Sequence, residues 1–188
     1  MEYQIVFKGS KIMKRVNIKT KNKDIIDYWS VRVDECSLSI DWAEADSRCW
    51  RCGCEKNLER CHIVPHSLGG TDGPDNFVLL CKRCHPESPN VTDKEIMWDW
   101  MKAYKISYYD AFWIARGMME YEFIYKKSIT QELLDLGLST EKFGEIQKSI
   151  FKNLQNKATI HFGQPYFNMA TIAGVLRMMV KQLINNIG

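Results

Sequence analysis

The chain has no run of apolar residues long enough to cross a bilayer, which needs roughly 20 in succession, so no membrane partner is expected. It also has little net charge. Its 26 basic and 23 acidic side chains leave a formal +3, so overall basicity gives no argument for nucleic acid. The opening, MEYQIVFKG, lacks the charged-then-apolar layout of a secretory signal, and a cytoplasmic location is the expectation. Internal repeats and low-complexity tracts are lacking too, which argues against a solenoid or a disordered linker. At 188 residues and 22.0 kDa, the chain can bury one core, or a small core plus a helical module. Its 45% hydrophobic and 26% charged content is that of an ordinary soluble protein.

The most informative residues are cysteines. Cys49 and Cys52 form one Cys-x-x-Cys pair, Cys81 and Cys84 another, and 28 residues separate the two. Zinc takes four tetrahedral ligands, and each such turn presents two sulfurs to one ion. The competing readings are two disulfides or scattered core thiols, and disulfides need an oxidising compartment. Cys54 makes a local ambiguity. Cys49 and Cys52 are preferred because Gly53 follows and lets the knuckle turn back.

Between the pairs, Leu58 to Val64 reads as a strand ending at Pro65, and Phe77 to Leu80 as a short apolar strand. Ser67 to Pro74 is rich in turn formers, and a helical turn is expected near Cys81. The segments CWRCG, CHIVPHSLGG, DNFVLLC and CKRCH, over residues 49–86, together resemble the HNH endonuclease family, its zinc-knuckle branch with a ββα-metal core. The resemblance implies a metal-dependent nuclease acting on DNA phosphodiesters and leaving 5′-phosphate and 3′-hydroxyl ends.

By that resemblance His62 is the general base that takes a proton from the attacking water, a task suited to a group titrating near neutrality. Outside such a motif, a buried histidine bonded to a carbonyl would be the simpler reading. His85 is implied as a ligand of the catalytic metal, since four cysteines already fill a zinc shell. Asn76 is read as a brace that bonds backbone groups and orients His62, with direct metal ligation the alternative.

Cys61 departs from the family pattern, where Asp or His precedes the base and binds metal. A thiol is a poor ligand for Mg²⁺ and a good one for softer ions. Three readings stand: Cys61 binds a transition metal such as Zn²⁺, Mn²⁺ or Ni²⁺; it is spectator packing while an acid from elsewhere or water fills the shell; or the site is impaired. Asp41, Glu44 and Asp46 are upstream candidates for the missing carboxylate, and His66 is a nearby polar-loop histidine. The expected cofactors are a structural Zn²⁺ and a catalytic divalent metal, Mg²⁺, Mn²⁺ or another transition metal.

Charge distribution says more than net charge. Lys8, Lys11, Lys14, Arg15, Lys19, Lys21 and Lys23 occupy residues 3–23 with no acid among them. Such a face can neutralise phosphates, or it can simply be a solvated hairpin. Tyr3 to Phe7 and Ile12 to Lys19 read as strands, while Ile25 to Val33 is ambiguous between helix and strand.

After the knuckles the pattern turns helical. Thr92 to Glu95 reads as a capping box, with Val91 and Ile96 as a hydrophobic staple, opening a helix over about 93–104. Ser107 is expected to cap a second helix reaching about Lys126, whose rings (Tyr108, Tyr109, Phe112, Trp113, Tyr121, Phe123) are read as core before nucleic-acid contacts. A short helix over Ile129 to Leu136 should stop at Gly137. Helical spacing recurs at Phe143, Ile146, Ile150, Phe151 and Leu154. The last helix, Met169 to Ile187, carries an apolar stripe that packs within the chain or forms a homodimer seam.

The expected architecture is α+β: a basic β-rich segment (1–33), a zinc-stapled ββα-metal core (34–91) and a helical module (92–188). The expected function is a DNA endonuclease, in a restriction or phage-conflict role. A zinc-stabilised nucleic-acid-binding module without activity, and an interaction protein working through its aromatic helices, are the alternatives.

Overall fold

The computed structural model describes residues 17–104, 111–138, 148, 152 and 156–187. The two N-terminal strands expected before residue 17 lie outside the described residues, as do Lys8, Lys11, Lys14 and Arg15. Residues 17–20 carry no regular structure, and the next element is a helix, so the described part of 1–33 is not β-rich. The chain divides into two compact units, Met1–Tyr109 and Asp110–Gly188. The second begins 18 residues after the boundary expected at 92, and the first capped helix after the knuckles therefore belongs with the knuckles.

In the first unit, helix α1 (Asn22–Trp29) resolves the ambiguous stretch. The Asp24 carboxylate accepts the Lys21 N–H at 3.0 Å, and acids in a first turn favour the helix start. Ile25 is fully buried, and the Trp29 indole N–H donates to the Phe77 carbonyl at 2.8 Å. That bond fixes α1 beside a two-stranded antiparallel sheet of β1 (Leu58–His62) and β2 (Phe77–Cys81). The register pairs His62 with Phe77, Cys61 with Val78 and Glu59 with Leu80. Every residue of β2 is buried, which is why it reads as a continuous apolar run, whereas β1 is half-buried.

Between α1 and β1 the chain makes two short 3-10 turns, each capped by an aspartate: Asp34 accepts the Cys36 N–H and Asp41 that of Ala43. Helix α2 (Lys94–Lys102) buries Met97 and Met101. Its cap lies one residue beyond the expected Thr92: the Asp93 side chain accepts the Glu95 N–H at 2.9 Å. Aspartate caps at least as well as threonine, so the later residue wins. Val91 and Ile96 are 36% and 42% exposed, so no buried staple forms.

The second unit is helical: α3 (Phe112–Tyr125), α4 (Ile129–Asp135) and α5 (Met169–Ile187). Ser128 caps α4 by accepting the Gln131 N–H. The apolar stripe of α5 is spent inside this unit, where Ile172, Ala173, Leu176 and Val180 bury against Ile114 and Tyr121 of α3 and Ile129 and Leu133 of α4. The stripe therefore gives no support to a dimer seam. The core reading of the aromatic helix holds for Phe112, Trp113 and Tyr121, while Phe123 is exposed. Ser107, Tyr108, Tyr109 and the helical spacing around 143–154 fall largely or wholly outside the described residues. No helix among the described residues is long and apolar enough to cross a membrane.

Candidate metal centre and active site

Cys49, Cys52, Cys81 and Cys84 converge in one buried cluster, with their sulfur atoms all within 4.8 Å of one another. A tetrahedral zinc with sulfurs at about 2.3 Å requires sulfur–sulfur edges of about 3.8 Å, and Cys52 and Cys81 stand 3.9 Å apart. The cluster is assembled by the backbone. Gly53 takes φ +66°, and the Gly53 N–H bonds the Cys49 carbonyl at 2.8 Å, closing the knuckle on itself. Trp50 then donates its N–H to the Leu79 carbonyl of β2, which carries the first pair to the second.

Cys54, also buried, points its thiol at the Cys52 carbonyl and stands outside the four. The thiol pKa values of Cys52 and Cys84 are pushed far up and that of Cys81 far down, each chiefly through its hydrogen bond with Cys49. A dication supplies the charge that lets all four exist as thiolates, so this donor set fits a structural zinc.

Arg51, inside the first knuckle, is 2% exposed. It bonds Glu87 at 2.9 Å and lies 3.8 Å over the Trp100 ring of α2. One side chain thus joins the first knuckle, the turn after the second and the following helix. Nothing in the residue pattern CWRCG signals this.

The hairpin presents the remaining candidates. His62 ends β1, half-buried, its ring 4.4 Å from that of Phe77. Burial above all, with lesser contributions from the neighbouring His66 and His85, holds its pKa below the ordinary 6.5 against an upward pull from Asp72. Neutral imidazole is the form a base requires.

Asn76 is 1% exposed and is the lock behind this strand end. Its amide donates to the Val64 and Thr71 carbonyls, and its side-chain oxygen accepts the Val64 N–H, all at 3.0 Å. These bonds tie both its side-chain oxygen and its amide nitrogen to backbone groups. They also account for Gly70, where a Cβ would fall 1.8 Å from the Val64 oxygen and 2.8 Å from the Asn76 amide nitrogen.

His85 stands in a 3-10 turn (His85–Glu87), and its Nδ1 is 2.9 Å from a Glu59 carboxylate oxygen. Both side chains are partly exposed, at 37% and 40%. Glu59 was not among the acids expected to reach the site. Of those, Asp41 caps its own turn and Glu44 pairs with Arg48. Alternation along β1 sets Glu59 on the same face as Cys61, and that register is the signal that could have found it.

Cys61 itself is 2% exposed, with its sulfur 3.3 Å from the Ser88 hydroxyl. Burial pushes its thiol up to about 11. His66 is exposed, in a turn (His66–Leu68).

The loop between the strands is tied to the N-terminal segment. The Asp72 carboxylate accepts the N–H groups of Lys19 at 2.7 Å and Thr20 at 3.2 Å. Those bonds, that of Lys19 foremost, hold Asp72 below the usual carboxylate range. Arg60 of β1 donates to the Thr20 carbonyl at 2.6 Å.

No curated relative and no solved structure matches the chain. Residues 49–101 match a protein-family model described as HNH endonuclease. That span opens on the first zinc-binding cysteine candidate and closes on Met101, a buried residue of α2, so it takes in both knuckles, the hairpin, Glu59, His62, Asn76 and His85. The segment 49–101 is thus similar to the HNH endonuclease family.

Proposed function

We propose that this protein is a metal-dependent DNA endonuclease, and that β1, β2 and the turn at His85 form the working part of a ββα-metal core. The observation that carries the reading is the partly exposed pair of His85 and Glu59, the latter on β1 of the hairpin. A metal-binding histidine characteristically gives its second ring nitrogen to a carboxylate, which fixes the tautomer and leaves the other nitrogen for the ion. Here Nδ1 faces Glu59 and Nε2 is the ligand atom. A divalent cation at this site would stabilise charge on the scissile phosphate and on the leaving 3′ oxygen.

The remaining work belongs to the chain. His62 takes the proton of the attacking water at its unprotonated ring nitrogen. Asn76 holds Val64, and through it the end of β1, so that the imidazole does not swing. Glu59 keeps His85 aimed. Cys61 is packing, and the cation is one that oxygen and imidazole ligands suit, Mg²⁺ or Mn²⁺ before a thiophilic ion. The basic residues Lys8, Lys11, Lys14, Arg15 and Lys19 engage DNA phosphates. Support comes from the anchoring of Lys19 and Thr20 on Asp72, in the loop that follows His62. The biological setting we infer for such a nuclease is restriction or phage conflict.

The test is a plasmid assay. Supercoiled DNA is incubated with wild type and with His62→Ala, each in Mg²⁺, Mn²⁺, Ni²⁺ and Zn²⁺. The expected result is metal-dependent nicking or linearisation by wild type alone. Binding without cleavage by folded, zinc-loaded protein in every metal would overturn the enzyme in favour of a nucleic-acid-binding module.

A further inference from the structure

The last helix has a second face. Gly174, Arg177, Met178 and Lys181 recur at intervals of three and four, so they share one side of α5, away from the buried stripe of Ile172, Ala173, Leu176 and Val180. This side forms one wall of a cleft of about 580 Å³ within the helical unit; residues 157–161 form another, and Tyr125 of α3 also lines it. Lys157, His161, Arg177 and Lys181 all line the cleft, and no acidic side chain does so among the described residues.

The charges are arranged, not scattered. Arg177 is held by the Glu132 carboxylate at 2.8 Å and the Tyr121 hydroxyl at 3.3 Å, with its guanidinium 4.8 Å over the Tyr125 ring. Glu132 offsets part of the Arg177 charge, so the net positive potential rests on the exposed Lys157 and Lys181. Gly174 leaves the helix wall open, since a Cβ there would meet nothing within 4 Å. The hydroxyls of Thr159 and Thr171 supply neutral donors along the same cleft.

We infer that this cleft is a phosphate-backbone binding site of the helical unit, taking duplex DNA in addition to whatever DNA the hairpin unit engages. Charge complementarity selects the ligand: a cation-lined cleft without acids fits a polyanion, and this chain's other unit carries a segment similar to a family that acts on one. Lys157 and Lys181 neutralise phosphates, while Arg177, already positioned by Glu132, donates to a phosphate oxygen. The inference rests on the nuclease reading for its choice of DNA, and on the cleft alone for its existence.

The experiment is a fluorescence-anisotropy titration of labelled duplex DNA across a salt series. It uses the full zinc-loaded chain carrying His62→Ala, with and without Lys157→Ala and Lys181→Ala. Each neutralised phosphate contributes about 0.9 to the salt slope, and therefore about eightfold in affinity at 0.1 M salt. The double variant should lose more than tenfold in affinity, with a slope lower by about 1.8, while its melting curve is unchanged. An unchanged affinity and slope overturns the cleft, whether or not wild type cuts plasmid. A changed slope, together with a wild type that cuts plasmid in no metal, upholds the cleft and removes the nuclease. Capture of an acidic protein partner by the cleft, with DNA binding insensitive to both lysines, also overturns the inference.

Discussion

Replacing Asn76 by alanine should unfold the hairpin unit at a markedly lower temperature. Three side-chain hydrogen bonds disappear, each worth about 1 kcal/mol net. Val64 is a buried residue, and its N–H and carbonyl are then left without these partners. The loss is therefore about 3 kcal/mol or more. For a unit of roughly a hundred residues, that lowers the midpoint by about 15 °C. Tryptophan fluorescence is the assay, because Trp29, Trp42, Trp50, Trp98 and Trp100 lie in the Met1–Tyr109 unit and only Trp113 lies outside it.

Asn76→Asp sharpens the test. Aspartate keeps the shape but loses both donors and sets a buried charge against two carbonyl oxygens, so it should destabilise at least as much as alanine. Were Asn76 a metal ligand instead, aspartate would preserve stability and tighten metal binding. An Asn76→Ala midpoint within about 3 °C of wild type, or an Asn76→Asp protein as stable as wild type, refutes the bracing argument.

Zinc release by a mercurial thiol reagent should free about one ion per chain and collapse the fluorescence of the hairpin unit; Cys52→Ser should purify metal-poor and unfolded there, and a folded, metal-free Cys52→Ser protein would contradict the cluster's role. Burial lowers the His62 pKa below 6.5, so kcat/KM should keep its plateau down to below pH 6.5 before an acidic limb appears. The linked stability has the matching sign: as pH falls past 6.5 the unfolded chain takes up the proton first, and His62 then costs stability. A limb above pH 7 that His62 controls would refute this. Arg51→Met should lower the midpoint of a denaturant titration, because the buried ion pair to Glu87 and the cation over Trp100 are both removed, and an unchanged midpoint would refute the joining role of Arg51. Glu59→Gln should weaken Mn²⁺ binding, read by electron paramagnetic resonance, about 10-fold or more while leaving the melting curve intact; unchanged Mn²⁺ affinity would remove Glu59 from the metal site.

The metal cluster was the most legible feature, since Cys-x-x-Cys spacing and the glycine after Cys52 are local properties that survive any packing. His62, Asn76 and His85 were legible only as a set, through resemblance. What each touches depends on strand pairing. Glu59 is the instructive omission: its meeting with His85 needs the β1–β2 register and the turn after Cys84, neither of which is written in neighbouring residues. Arg51 is hidden for the same reason, since its partners lie 36 and 49 positions away. The cap of α2 moved by one because Thr92 and Asp93 are both competent caps. On α5 the apolar stripe dominated the pattern and obscured the basic side, and the dimer expectation fell once α3 and α4 were found covering that stripe.

The first and second knuckles are 29 positions apart at Cys52 and Cys81, and everything that gives the hairpin its chemistry, except His85, lies on the chain between them. An ion held by the four sulfurs closes that stretch into a chelate ring. By the reckoning used for covalent cross-links, such a closure removes about 3.5 kcal/mol of unfolded-chain entropy. The ring fails as a whole. Oxidation of one thiolate, or competition for its ion, opens it and releases Glu59, His62 and Asn76 together, so any activity housed there would respond to metal supply and oxidants as a single on–off unit.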